Sequence, residues 1–168
     1  MDARLSQLRQ EISSVVAGLS GQQLSTHTPG KWCTAEILEH LYLTYTATTK
    51  GVQRVLESGP PRVTPVTWKQ RGRALLVTGF AYLPSGRKSP PMARPKGLPA
   101  AKVQTEIGAR IAEMDAILAT CESKFGGRLK VLNHPILGPL TVNQWRKFHL
   151  VHGRHHLKQI QRLRRGAD

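Results

Sequence analysis

The sequence predicts an all-α fold, a four-helix bundle, and two observations support this prediction. Four segments repeat apolar residues at every third or fourth position, the spacing of one helix face, and no segment alternates convincingly as a strand does. At 168 residues the chain can bury a core of its own, so we expect residues 1–168 to form a single domain. A long proline-rich crossover, residues 59–99, should join the second helix to the third.

The first two helices are bounded by recognisable signals. The first is predicted from about Asp2 to Leu19, where Ser20-Gly21 ends its apolar stripe. The second should begin near Cys33 or Thr34 and stop before Gly59-Pro60-Pro61. Both carry an inward apolar face that is typical of core packing.

The next part of the chain has a weaker pattern. Residues 59–99 contain many prolines and basic residues, with a short helix expected around Trp68–Gly79. So long a connection is typical of a lid over a site and also of a plain connection along the surface, and the sequence leaves both open. The third long helix is predicted over Ala100–Phe125, and Gly126-Gly127 ends it.

The last helix contains the most informative residues. The segment Asn133–Arg165 opens as a turn and becomes helical at Thr141, where Gln144 three positions later completes a capping box. Four histidines then follow within eight residues: His149, His152, His155 and His156. So many imidazoles on one helix indicate a metal site, although they name no substrate.

Helical spacing decides which imidazoles can share an ion. His152 and His156 are four residues apart and point the same way. His149 lies near the same stripe, whereas His155 is turned by about 100° from His156. A pair alone is more typical of polar residues on a helix flank or in a core. His40, on or beside the inward stripe of the second helix, supplies a third imidazole, and three imidazoles plus water make an open zinc site.

Three further side chains are expected just behind these ligands: Glu36, His149 and Gln159. Glu36 lies one turn before His40 and has two interpretations. It can accept the ring N–H of His40 that faces away from an ion, or it can interact with the helix N-terminus.

The charge of the chain is large and uneven. The net charge is +15, and no acidic residue occurs between Glu57 and Glu106 or between Glu122 and Asp168. Such a surface attracts nucleic acid, acidic lipid headgroups or a small carboxylate or thiolate. A generic basic surface without a specific partner explains the same composition.

The sequence also indicates a compartment. No run approaches the length of a membrane-spanning helix, and the charged N-terminus does not resemble a signal peptide, so no membrane partner is expected. Cys33 and Cys121 are far apart and match no disulfide framework, which favours a reducing cytoplasm.

Two stretches resemble a known family. Trp32-Cys33-Thr34-Ala35-Glu36-Ile37-Leu38-Glu39-His40-Leu41 resembles the W-S-x-x-E-I-x-x-H-L element of the DinB/YfiT-like superfamily, with Cys33 where the family favours Ser. His134-Pro135-x-x-Gly138-Pro139-Leu140-Thr141-x-x-Gln144-Trp145, followed by His152-x-x-x-His156-x-x-Gln159-Ile160, resembles its C-terminal signature. The similarity is to a bacterial branch of that superfamily.

The resemblance implies a four-helix bundle, often a homodimer, with a divalent ion, Zn²⁺ or Ni²⁺ by preference, on a histidine triad. Mapped to this sequence, the triad is His40, His152 and His156, the three that spacing selects. Members with known activity are metal-dependent thiol S-transferases and isomerases that use low-molecular-weight thiols.

Three functions therefore compete. The favoured one is a metal-dependent enzyme, a thiol-dependent transferase or a hydrolase, acting on a small molecule such as an anionic thiol. The second is a basic helical protein that binds nucleic acid, which is less favoured because no nucleic-acid-binding motif is legible. The third is a bundle that binds metal without catalysis.

Overall fold

The computed structural model describes residues 1–84 and 89–166 of the chain. This described part is mostly helical, with one small sheet, and none of its helices combines the length and apolarity needed to cross a bilayer. The elements in chain order are α1 (Ala3–Val16), α2 (Gly21–Ser25), α3 (Thr34–Ser58), α4 (Trp68–Thr78), α5 (Ala100–Phe125), β1 (Lys130–His134), β2 (Gly138–Thr141) and α6 (Val142–Arg165).

The predicted helices are present, with small shifts at their ends. Asp2 precedes α1 as its cap and accepts a hydrogen bond from the backbone N–H of Arg4. Thr141 and Gln144 form the expected capping box at the start of α6. The short helix expected around Trp68–Gly79 is α4, whereas the sequence did not predict the five-residue α2.

The four long helices α1, α3, α5 and α6 contribute most of the core. Helix α3 lies along α5, α1 lies against α6 and α5, and α6 also contacts α3 and α5. Helices α1 and α6 approach closely at Gly153, where an added Cβ would lie 2.5 Å from Leu8 Cδ1. Each of these helices buries large apolar side chains completely, among them Leu8, Leu41, Ile111 and Ile160.

A buried ion network fixes α6 against its neighbours. Arg146 on α6 donates to Asp115 (Nε to Oδ1, 2.9 Å) and to Glu122 (Nη1 to Oε2, 2.6 Å), both on α5. The backbone N–H of Asp2 donates to the other oxygen of Asp115 at 2.6 Å. Arg146 and Asp115 are buried while Glu122 is partly exposed, and their mutual hydrogen bonds offset the cost of burying the first two charges. The network therefore joins the start of α1 to α5 and α6.

The hairpin is the small amount of sheet in a mostly helical protein, and it corrects the prediction that residues before Thr141 form only a turn. Strands β1 and β2 pair in antiparallel fashion, with His134 opposite Gly138 and Leu132 opposite Leu140. Nδ1 of His134 accepts from the backbone N–H groups of Ile136 and Leu137, each at 3.1 Å, and so organises the turn. Strands of five and four residues are too short for alternation to stand out in the sequence.

The connection between α3 and α5, residues 59–99, contains secondary structure of its own. It contains α4 and a 3-10 turn, Pro91–Ala93, while its residues 85–88 lie outside the described part. Helix α4 lies against α6 and β2, and the 3-10 turn lies against α3. The connection thus reaches the two helices that carry the predicted histidines.

Candidate metal centre

Three histidine rings meet between α3 and α6. Nε2 of His152 lies 3.1 Å from Nε2 of His40 and 3.2 Å from Nε2 of His156. His152 and His156 are one helical turn apart on α6, and His40 faces them from α3. All three residues are buried, and one nitrogen from each falls within 4.8 Å of the others. The structure brings together the three residues that spacing selected.

Hydrogen bonds at the far side of two rings fix their protonation. Nδ1 of His40 lies 2.7 Å from the carbonyl oxygen of Ala93, and Nδ1 of His156 lies 2.7 Å from Oε1 of Gln159. Both oxygens can only accept, so each Nδ1 carries the proton of its neutral ring. Nε2 of His40 and Nε2 of His156 therefore present lone pairs toward Nε2 of His152.

This arrangement fits a cation better than it fits a network of hydrogen bonds. The nitrogen of His152 can donate one proton to one neighbour, which leaves the lone pair of the other neighbour unsatisfied. Its own Nδ1 has no hydrogen-bond partner in the described structure although it is buried. Three converging imidazole nitrogens are a donor set that Zn²⁺, Ni²⁺ and related divalent ions accept. The residues present therefore fit a divalent metal ion.

Burial keeps the three rings neutral. Removal from water lowers the pKa of His40 and, helped by the neighbouring histidines, lowers the pKa of His152 well below its usual range. Burial and the nearby His40 lower the pKa of His156 to about 3. Neutral imidazoles are the form that binds a metal, so at neutral pH no proton has to leave before the rings can bind an ion.

Aromatic rings hold two of the histidines in place. Phe148, one turn before His152, stacks on its ring with the centroids 5.1 Å apart and an interplanar angle of 15°. Trp32, which precedes α3, lies 5.2 Å from the ring of His40. These contacts restrict the orientation of the two rings.

Glu39 lies beside the site, and the sequence analysis did not single it out. It is buried beside His40, and its carboxylate accepts three backbone N–H groups of the connection, from Lys96 (2.6 Å), Gly97 (3.1 Å) and Leu98 (3.1 Å). Adjacent residues of α3 thus bind the same segment, His40 through Ala93 and Glu39 through the following turn. The position of Glu39 next to an inward histidine was the available signal.

Glu36, His149 and Gln159 were expected behind the three histidines, and only some of these residues contact them. Gln159 contacts His156 as expected. Glu36 instead accepts from the backbone N–H of Cys33 (2.9 Å), the helix-capping interpretation, because Ala93 already occupies the far nitrogen of His40. The N-cap of α3 is Cys33.

The two remaining histidines of α6 lie outside the triad. His149 is fully buried one turn below, where its Nε2 lies 3.1 Å from Oγ1 of Thr48. Burial lowers its pKa to about 3. His155 is turned to the flank and contacts the edge of the His156 ring and Nε2 of Gln159. Neither histidine belongs to the group of converging nitrogens.

A large cavity opens onto the triad. Its volume is about 1370 Å³, and His40, His152 and His156 form part of its wall. Apolar side chains make up much of the remainder, among them Trp32, Leu76, Val77, Met92 and Phe148. A cavity of this size can admit a substrate much larger than water.

The charges around this cavity all have one sign. Among the described residues that line it, none is acidic, and seven are basic: Lys31, Lys50, Arg54, Arg73, Arg94, Lys96 and Arg162. Because apolar walls of low dielectric strengthen the field of such cations, the cavity favours ligands that carry negative charge.

The fold and the triad together define a mostly helical protein with a buried three-histidine site that could hold a metal ion. The chain belongs to the DinB superfamily, whose family model matches residues 4–160 and confirms the resemblance seen in the sequence. No curated protein and no solved structure matches the chain.

Proposed function

We propose that this protein is a metal-dependent enzyme in which His40, His152 and His156 hold one divalent ion, Zn²⁺ or Ni²⁺, at the wall of the cavity. The convergence of one nitrogen from each of three neutral imidazole rings carries this proposal. A bound ion would lower the pKa of a water or thiol in contact with it. Such an ion suits hydrolysis, and the family resemblance adds transfer to or from a low-molecular-weight thiol.

Residues around the site would orient the ligand rings and attract the substrate. Ala93 and Gln159 hold the protons of two ligand rings away from the ion site, and Phe148 restricts the third ring. The basic lining attracts an anionic small molecule, and the apolar wall excludes water from part of the cavity. Described residues of the connection, among them Leu76, Met92 and Ala93, line the cavity, and the connection acts as a lid in this proposal.

Several finer features belong to the same proposal. The mutual packing of α1, α3, α5 and α6 supports a four-helix bundle, with residues 59–99 as its crossover and residues 1–168 as one domain. The free, buried Cys33 and Cys121 agree with a reducing cytoplasm. A homodimer rests on the family resemblance alone.

Metal content tests the site. We expect purified, untagged protein to take up about one divalent ion per chain, and His40→Ala, His152→Ala and His156→Ala each to weaken binding severely, because two imidazoles remain where three are needed. The measurement is metal analysis together with titration of the metal-free protein. His155→Ala is the matched control and should retain the metal, since its ring lies on the flank.

Catalysis needs a separate measurement. Low-molecular-weight thiols should change the visible spectrum of the Co²⁺-substituted protein, and conjugation of a panel of electrophiles should require the metal and vanish in His152→Ala. Metal binding without a response to thiols and without turnover would favour the non-catalytic bundle. Tight, salt-sensitive DNA or RNA binding that persists after metal removal would instead support the nucleic-acid function.

A further inference from the structure

The connection exposes an unusual amount of apolar surface. Six of the eight large apolar side chains that are exposed in the described part of the chain lie within residues 59–99. We name this set the α4 face, and its members are Trp68, Leu75, Leu76, Phe80, Tyr82 and Met92. Single exposed apolar residues are ordinary, whereas six of them in one segment are a reason to look for an interaction surface there.

Helix α4 is apolar on two opposite sides. Ala74 and Val77 are buried and fix the inner side against the rest of the protein. Trp68 and Leu75 are seven residues apart, so they lie along one line on the outer side, and they are 77% and 58% exposed. The outer side therefore has no partner within the described part of the chain.

Two aromatic residues extend this outer side beyond the helix end. The backbone N–H of Phe80 donates to Leu75 O (3.2 Å), and that of Tyr82 donates to Leu76 O (3.1 Å), so both residues are tied to α4. Ala81 between them has φ of 53°, a left-handed conformation that costs a non-glycine residue free energy. The chain thus holds both rings in solvent, 70% and 59% exposed, by a strained turn.

Positive charge surrounds the apolar residues. Lys69 and Arg71 are exposed and fall on opposite flanks of the line through Trp68, by helical geometry. Between Glu57 and Glu106 the sequence contains nine Lys and Arg residues and no acidic residue. An apolar stripe with aromatic residues and cationic flanks is the pattern of a helix that lies in the interface of an anionic membrane.

We propose that the α4 face docks on the surface of an anionic lipid bilayer, with its aromatic and aliphatic side chains inserted at the headgroup level. Two other occupants fit less well. A second copy of the chain would bring two cationic flanks together without acidic partners. Single-stranded nucleic acid would stack on the aromatic rings but would leave Leu75, Leu76 and Met92 without a role.

Docking in this way would place the candidate metal centre near the bilayer. Leu76 and Met92 belong both to the α4 face and to the lining of the cavity. The part of the cavity wall that these two residues form would then lie close to the lipid surface. This inference differs from the expectation of no membrane partner, which rested on the lack of a spanning segment. It does not depend on bound metal.

Vesicle flotation with the whole protein tests the proposal. The protein should float with phosphatidylcholine vesicles that contain phosphatidylglycerol, bind pure phosphatidylcholine much more weakly, and release at high salt. Trp68→Ser combined with Phe80→Ser should weaken binding at least tenfold, and Lys69→Gln combined with Arg71→Gln should weaken it roughly 30-fold at low salt. All four substituted side chains are exposed, so circular dichroism should stay unchanged.

Matched controls separate this surface from general basicity. Leu129→Ser removes an exposed apolar residue outside the connection, and Arg9→Gln combined with Lys102→Gln removes two exposed cations from α1 and α5. Leu129→Ser should leave vesicle binding unchanged. Arg9→Gln with Lys102→Gln should weaken binding far less than Lys69→Gln with Arg71→Gln does. Equal losses in control and test variants, or no binding to anionic vesicles, would overturn the proposal. So would a dimer that Trp68→Ser with Phe80→Ser dissociates, or binding to single-stranded DNA without vesicle binding.

Discussion

Glu39 and His40 are neighbours in α3, and both side chains bind the backbone of residues 93–98, one as an acceptor and the other as a donor. The carboxylate of Glu39 receives three backbone N–H groups of residues 96–98, while His40 directs a ring proton to the carbonyl of Ala93. A buried carboxylate with three donors is fully used, since hydrogen bonds to a charged group are the stronger kind. The position of His40 and the path of residues 93–98 are therefore fixed together.

Replacing Glu39 by Gln should loosen this junction. The amide has one acceptor oxygen, which can replace Oε2 toward Gly97 and Leu98, and its NH₂ group then faces the N–H of Lys96, so that hydrogen bond is lost and the other two lose their charge. We expect a loss of about 2–4 kcal/mol in the free energy of unfolding and weaker metal binding, measured by urea denaturation and metal titration. Glu36→Gln is the control, because Gln preserves a capping box. An effect of Glu39→Gln no larger than the control would contradict this role.

His134 should make the fold sensitive to acid. Burial lowers its pKa to about 4, so the folded chain keeps the ring neutral while an unfolded chain protonates it near pH 6.5. Its contribution is fully present above pH 6.5 and is lost as the pH falls toward 4, by up to roughly 3 kcal/mol. Protonation also removes the acceptor that organises the hairpin turn.

The variant His134→Asn isolates that contribution. The Asn oxygen can accept the same backbone N–H groups but does not titrate. Unfolding of metal-free protein should therefore depend less steeply on pH between 6.5 and 4 in the variant. The remaining slope would come from the other buried histidines, among them His149, whose pKa burial and the nearby His134 also lower. Equal slopes in both proteins would show that His134 is not the group concerned.

At the scale of elements, the close contact of α1 with α6 depends on Gly153. A methyl group there would meet the fully buried Leu8 side chain, so Gly153→Ala forces a local shift despite the better helix propensity of Ala. We expect a net loss of about 1 kcal/mol or more in stability, and weaker metal binding because His152 is adjacent. Gly72→Ala is the control. Its added Cβ meets nothing within 4 Å, so this exposed helical substitution should instead stabilise by up to about 1 kcal/mol.

The sequence predicts those elements whose signals are local. Helix α6 was predictable because Thr141 and Gln144 mark its start and because its buried positions recur at helical spacing. The triad followed from the same geometry, since His152 and His156 are one turn apart. The hairpin was missed because its strands are short and its turn depends on a histidine acting as a backbone acceptor.

Other parts of the site could not be predicted because they depend on contacts between distant residues. The partner of His40 is a carbonyl, which every residue possesses, so no side chain identifies Ala93 in advance. Glu36 seemed a suitable partner by spacing, but its carboxylate faces the helix end. The cavity likewise forms only when α3, α6 and the connection meet.

For the whole molecule, the hydrogen bond that His40 donates to the carbonyl of Ala93 couples metal binding to the ordering of the connection. If an ordered connection favours the ring orientation that binds an ion, then a bound ion must favour the ordered connection by the same free energy. Arg94 and Lys96, two residues that line the cavity, lie in that ordered segment. Because Arg94 is followed by Pro95, which blocks trypsin, only Lys96 offers a cleavage site. Bound metal should therefore slow tryptic cleavage after Lys96.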